Sequence, residues 1–328
     1  MITCYAFVDG RISKSAIAAG APLPPGTVWA DLLEPTREEE KSIEKVLGLE
    51  LPTREEMQEI EDSSRLYQEG DAIFLTAPLL YQADSDNPGT TAVTFIQTPS
   101  AMVTVRYASP KSFQTFSNRI ERQPLQCSNS DAALLGLLEA VVDRMADVLE
   151  RIGGDLEGVS KLVFSYPENG KIRARDDEDP LREAVRGIGR SGNLVSRASD
   201  SLLGLTRLVS FLSQATEGIA RKDARLRIKT LARDIRSLSE HAFYLSNKVT
   251  FLLDAAVGMI NIEQNNIIKI FSVAATVFLP PTLIASIYGM NFRHIPELDW
   301  TFGYPFAIVL MIASAIAPYL YFKRRGWL

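Results

Sequence analysis

A chain of 328 residues has room for two domains, and its mean hydropathy of +0.01 averages two unlike parts. Two cysteines, Cys4 and Cys127, stand far apart and exclude a disulfide framework or a Cys-based zinc site. The two histidines are isolated, and no nucleophile–base pair, phosphate loop or basic nucleic-acid patch is visible, so neither an enzyme nor a nucleic-acid binder is expected.

The opening "MITCYAFVDG" has a short apolar run before an Asp, without a basic lead or cleavage site, so no signal peptide is expected. Short β-rich runs follow it: "TVWADLL", "AIFLTAPLLY", "TAVTFIQ" and "AMVTVRY" carry strand-forming branched and aromatic residues. "EGD" at 69–71 and "TPS" at 98–100 mark hairpin turns between them. Thr36 and Thr53 each precede Arg-Glu-Glu, with an acid at the third position, the capping-box pattern of a helix start. Residues 1–126 therefore read as a cytosolic α/β domain.

From Asp131 the pattern turns helical, with a loop around "YPENGK", a second helix from about Leu181 to Ser213, and a third that starts near Asp223. Between Asp223 and Met290 the only prolines are Pro280 and Pro281 and the only glycines Gly258 and Gly289. One helix over that length spans about 100 Å at 1.5 Å per residue, and such a rod implies oligomerisation. No charged side chain occurs from Ile270 to Phe292 or from Thr301 to Phe322. Each run has the roughly twenty residues that cross a bilayer core. Acidic runs such as "EPTREEEKSIEK", "PTREEMQEIED" and "RARDDEDP" lie in the cytosolic part and fit solvated helix faces. Lys323, Arg324 and Arg325 follow the second apolar run and place the C-terminus inside by the positive-inside rule. Both termini are then cytosolic and the loop between the spans is external.

Stepping back by sevens from Gly289 gives Thr282, Ala275, Ile268, Asn261 and Asp254. The interleaved series is Ser286, Leu279, Ser272, Asn265 and Gly258. Together they form a seam of period 3.5, the geometry of helices around a common axis. The flanking Leu253, Val257, Ile260, Ile267, Phe271, Val277, Phe278 and Ile284 are large and apolar, whereas the seam is mostly small or polar. Small residues alone would suit close helix packing, but Asp254, Asn261 and Asn265 would need partners in a dry interface. The seam is therefore expected to line a pore, with Ile268 and Leu279 as apolar constrictions able to gate by dewetting. Asn291, capping that helix, would present a ring of amide oxygens at the outer mouth. Such an uncharged ring can hydrogen-bond the waters that Mg2+ gives up reluctantly. Gly289 would let the helix turn closely and Met290 would pack behind it.

"YGMNF", followed by "IPELDWTFGYPF" and "YFKRRGWL", resembles the CorA-type divalent-cation channel family, and the likeness extends upstream to "VWADLLEPTREEE" and "EEMQEIEDSSRLYQEGDAIFLTAPLL". The resemblance implies a homopentameric funnel: a cytosolic α/β domain and a long stalk helix that continues into the first of two membrane helices. It implies passive flux of Mg2+, and of Co2+ or Ni2+ as well. Family selectivity residues fall on Gly289, Met290 and Asn291. Pore-lining positions fall on Asn265, Ile268, Phe271 or Ser272, Leu279, Thr282 and Ser286, beside Asn261 and Ala275 of the seam. Cytosolic Mg2+ between subunits is implied to hold the channel closed, through Asp254 of one stalk and Glu56 or Glu55 of the neighbour.

Arg293 and His294 depart from the acidic or neutral residues that follow Met-Asn-Phe in the family, and Pro281 doubles a single proline. The retained Pro296, Glu297 and Leu298 favour magnesium over the zinc-transporting branch. Glu297 and Asp299 are the acids of the external loop.

The expected chain is an α+β membrane protein of the cytoplasmic membrane. Its parts are the domain 1–126, a helical and stalk region 127–269, a pore helix 270–292, an external loop 293–300, a second span 301–322 and a basic tail 323–328. Its expected function is passive transport of hydrated Mg2+, gated by intracellular Mg2+. The alternatives are a proton-coupled Zn2+ transporter on the same scaffold and a non-conducting, membrane-tethered metal sensor.

Overall fold

The structure, a computed structural model, describes residues 1–59, 61–85, 87–164, 180–217, 221–291, 297 and 300–326, with the backbone alone at 62. The "YPENGK" loop, most of "RARDDEDP", Arg293, His294, Pro296, Leu298 and Asp299 lie outside the described residues. Two compact units divide the chain at Leu253 and Asp254.

The first unit is built on a seven-stranded sheet. In chain order its strands are β1 (Ile2–Val8), β2 (Arg11–Ile17), β3 (Thr27–Leu33), β4 (Leu66–Glu69), β5 (Ala72–Tyr81), β6 (Gly89–Gln97) and β7 (Met102–Arg106). They lie in the order β2-β1-β3-β7-β6-β5-β4, and β3 with β7 is the single parallel pair. Helices α1 (Arg37–Leu47), α2 (Arg54–Gln58) and α3 (Asp62–Arg65) follow β3, and α4 (Lys111–Arg122) follows β7. α5 (Ser130–Phe164) and α6 (Pro180–Ala215) complete the helical layer with the start of α7 (Lys222–Tyr288).

Alternation along the strands assigns the two sheet faces. Ala30, Leu32, Val103 and Val105 point to one side, where Ile43 of α1 and Met57 of α2 close an apolar core with Phe74 and Ile96. Trp29, Asp31, Thr104 and Arg106 point to the other, under Phe113 and Phe116 of α4. Because helices cover both faces, β3 and β7 are buried almost throughout. Thr36 and Thr53 form the two expected capping boxes, each side chain accepting from the backbone of Glu39 or Glu56 and each acid answering at the cap.

Three elements have weak sequence signals. β2 is a mostly exposed edge strand, β4 has four residues, and α4 shows its apolar face only through Phe113, Phe116 and Ile120. The helical layer is tied to the sheet and to α7. Lys111, Arg144 and Arg151 all donate to Asp84 at the β5–β6 turn. Arg144 above all, with Arg151 and Lys111, holds that carboxyl well below its usual range against the cost of burial. Arg227 of α7 makes a two-bond pair with Glu139 of α5, at 2.8 and 2.9 Å. Lys248 donates to Glu157 at 2.9 Å.

The second unit, Asp254–Leu328, holds the rest of α7 and α8 (Gly303–Arg324). α7 and α8 are long and apolar enough to cross a membrane, each with a mean hydropathy of 1.9 over its most apolar window.

Candidate ion-conduction site

α7 runs unbroken for 67 residues, through Pro280 and Pro281, as the scarcity of helix breakers predicts. Between 270 and 289 a single chain covers one face of it. Val273 is buried, and Val277, Pro280, Ile284 and Tyr288 are partly so. Ser272, Ala275, Leu279, Thr282 and Ser286 are exposed and fall on roughly the opposite side at 3.6 residues per turn. Farther down, Asp254, Asn261, Asn265 and Ile268 are also exposed, with Gly258 intermediate. Between 273 and 288 the seam thus lies on the side of α7 that the chain itself leaves open, whereas from 264 to 272 every residue around the helix is exposed. Phe271, 71% exposed, flanks it.

The hydroxyl of Thr282 donates to the carbonyl of Phe278 at 2.7 Å, which leaves its oxygen lone pairs toward the seam. The side chains of Asn261 and Asn265 make no hydrogen bond among the described residues, so their amides remain available to solvent or to another copy. Asn265, Ile268 and Ser272 share a shallow hollow of about 480 Å3 with Ile262, Asn266 and Lys269. Lys269 is a residue the seam pattern misses: it is the last charge before the apolar run and stands next to Ile268.

At the C-terminal end of α7, helical geometry stops at Tyr288. The last turn is closed by backbone: Gly289 N–H donates to Ala285 O at 2.9 Å and Met290 N–H to Ile287 O at 3.3 Å. Asn291 therefore does not cap the helix. It follows as an exposed residue whose amide is unengaged among the described residues. Gly289 is used for space, not for a left-handed backbone: a Cβ there would lie 3.1 Å from the Ala285 carbonyl oxygen, tighter than ordinary contact. Met290 is 49% exposed and does not pack behind the turn within one chain.

Of the loop acids only Glu297 is described; its carbonyl approaches Gly303 so closely that a side chain there would collide. Trp300 clusters with Phe302 and Phe306 at the start of α8. At the other end Lys323 lies over Tyr319 and Arg325 over Tyr321, with Arg324 ending the helix. Aromatic residues at one end, and aromatics beside bases at the other, suit the two interfaces of a bilayer.

The regulatory candidates belong to different units. Asp254 is exposed at the start of the second unit, whereas Glu55 and Glu56 sit on the first turn of α2. One oxygen of Glu56 accepts from Thr53 N–H at 2.8 Å, so Glu55 has the freer carboxylate. Among the described residues no three Asp, Glu, His or Cys side chains of one chain converge as a metal site.

These features coincide with one family. The profile described as CorA-like Mg2+ transporter protein matches residues 25–324. The chain belongs to the CorA-like Mg2+ transporter family. The magnesium transport protein CorA of Escherichia coli (strain K12) is 36% identical over 330 residues, covering all of both chains. That of Pectobacterium atrosepticum is 37% identical over 333 residues, again end to end. Among solved structures, the complete CorA magnesium transporter of Methanocaldococcus jannaschii has a TM-score of 0.76 at 18% identity, over 100% of this chain and 99% of its own. The full-length CmaX protein has a TM-score of 0.65 at 17% identity, over 99% and 97%. The family is one of transporters, not of enzymes, as the sequence led us to expect.

Proposed function

We propose that this chain forms a homopentameric pore for passive flux of hydrated Mg2+ across the cytoplasmic membrane. The observation that carries this reading is the exposed polar seam of α7, lying roughly opposite the face that one chain covers. In a membrane such a stripe is stable only against water or against its own copies. Relatives named as magnesium transport proteins, identical at more than a third of positions from end to end, support the choice of ion.

In this reading Asn291 of each copy contributes an amide to a ring at the mouth, next to Gly289 and Met290. Neutral oxygens there hold the hydration shell of the ion without stripping it. Asn261, Asn265, Ser272, Ala275, Thr282 and Ser286 line the conduit with hydrogen-bonding or small groups. Ile268 and Leu279 dewet it when the helices close. Asp254 of one subunit and Glu55 or Glu56 of its neighbour hold regulatory Mg2+ as hard carboxylate ligands and so favour the closed state. Lys323, Arg324 and Arg325 keep the C-terminus cytosolic, and the Gly-Met-Asn turn faces outside.

Single cysteines at Ser272 and Thr282 test the conduit, paired with Mg2+ uptake into liposomes. The native background is quiet, because burial pushes the thiols of Cys4 and Cys127 up to about 11 and about 12. Small aqueous thiol reagents are expected to label both new positions and to block uptake. Labelling at neither position in any Mg2+ concentration would mean a dry seam, and the transport reading would fall to that of a sensor.

A further inference from the structure

The acidic net charge of the chain conceals a basic segment. Arg221, Lys222, Arg225, Arg227, Lys229, Arg233 and Arg236 crowd the start of α7, against Asp223 and Asp234. Arg227 is spent on Glu139 within the chain. Arg225, Lys229, Arg233 and Arg236 fall within about 80° of one another around the helix. They line an open groove of about 780 Å3 between α6 and α7, where Glu217 is the one acid among the described lining residues. All four are exposed, and none makes an ion pair or side-chain hydrogen bond among the described residues. The same face continues into Phe243 and Phe251, which are 69% and 60% exposed. Cations followed by aromatics, both left open by the chain, form the kind of surface that a protein partner covers.

The chain also carries unspent acids. On α1, Glu39 binds the N-terminal ammonium and Thr36, Glu40 accepts from Tyr107, and Glu44 accepts from Leu51. Around α2, by contrast, Glu55, Glu59 and Glu61 are exposed, and their carboxylates make no hydrogen bond or ion pair among the described residues. Glu55 sits in the first turn of α2 and Glu59 just past its end, so the acids are gathered around one short helix.

We propose that the α6–α7 groove is a docking surface for a second copy of this chain, whose Glu55, Glu59 and Glu61 pair with Arg225, Lys229, Arg233 and Arg236. This deepens the homo-oligomer part of the proposed function. It makes subunit contact electrostatic at the cytosolic end, where such pairs fix partner and register. Arg236 lies 18 residues, about 27 Å, along α7 from Asp254, so this pairing and a Glu55–Mg2+–Asp254 bridge belong to different arrangements of the two copies.

The test is the mass of the full-length chain in detergent as a function of protein and salt concentration, set against the 36.3 kDa monomer. Lys229→Glu with Arg233→Glu places like charges opposite each other. We expect dissociation to move to about tenfold higher protein concentration or beyond, since juxtaposed like charges cost more than the 1.4 kcal/mol that makes a factor of ten. Helical circular dichroism is expected to be unchanged, because the positions are exposed. Adding Glu55→Lys and Glu59→Lys is expected to restore the original midpoint. A wild type that is oligomeric but indifferent to the reversal, or a reversal that the second pair does not rescue, overturns the docking proposal alone. A wild type that stays monomeric at every concentration overturns the oligomer reading with it. Binding of inorganic tripolyphosphate that the reversal abolishes while the mass is unchanged would make the groove an anion site, and would equally overturn the proposal.

Discussion

Asp31 stands between Ala30 and Leu32 and Asn265 between Gln264 and Asn266, and the two units treat these polar residues in opposite ways. In the first unit Asp31 is 5% exposed and fully engaged. Arg106 donates to its two oxygens at 2.9 and 2.7 Å, Thr104 donates at 2.7 Å, and Trp29 Nε1–H passes the chain on to Thr104 at 3.0 Å. In the second unit Asn261, Asn265 and Asn291 are exposed with idle amides, while Ile268, Phe271 and Leu279 beside them stand open as well. A buried polar group must be answered, and at Asp31 the first unit answers it within one chain. The second presents polar and apolar surface together, so its environment and its copies have to complete it.

The sharpest break of this contrast is at the mouth. Asn291→Ala is expected to reduce selective Mg2+ uptake in liposomes to the level of empty vesicles while the oligomer mass is retained, because the side chain supports nothing within its own chain. Retained selectivity would place the filter elsewhere. The converse is Asp31→Ala, which should cost about 3–5 kcal/mol of stability by leaving a buried guanidinium unanswered. Urea unfolding checks it, and a loss below about 1 kcal/mol would show that the network is dispensable. Leu279→Ser should wet the constriction and raise leak at high Mg2+ several-fold with no change in melting temperature. An unchanged leak would move the gate toward Ile268. Smallest is Asp254→Asn, expected to weaken closure by Mg2+ by a coupling of about 1 kcal/mol or less, the low end for linked sites. Inhibition at the same Mg2+ concentration as the wild type would remove Asp254 from the regulatory site.

Much of the candidate site was legible before any coordinates, because the bilayer imposes length and polarity rules that local sequence must obey. The uncharged runs coincide with two helices long and apolar enough to cross a membrane, and the positions of period 3.5 from Ala275 to Ser286 lie on the side of α7 that the chain leaves open. The expected cap by Asn291 is not formed for a local reason: backbone N–H groups close the helix and release Asn291, a choice of hydrogen-bond partners that composition does not encode. The basic groove was passed over because its cations are interspersed along a helix and become a patch only when α6 lies beside α7.

By itself the sequence determined the long unbroken helix, the two apolar runs long enough to cross a membrane, the capping boxes and the polar stripe. Each of these depends on residues a few positions apart, where helix period and side-chain chemistry act directly. Tertiary structure alone decided the strand order with its one parallel pair, the Asp31–Arg106 network joined across 75 positions, and which acids and bases are already spent. Those outcomes depend on which distant segments share a face, and nothing in local propensity carries that information.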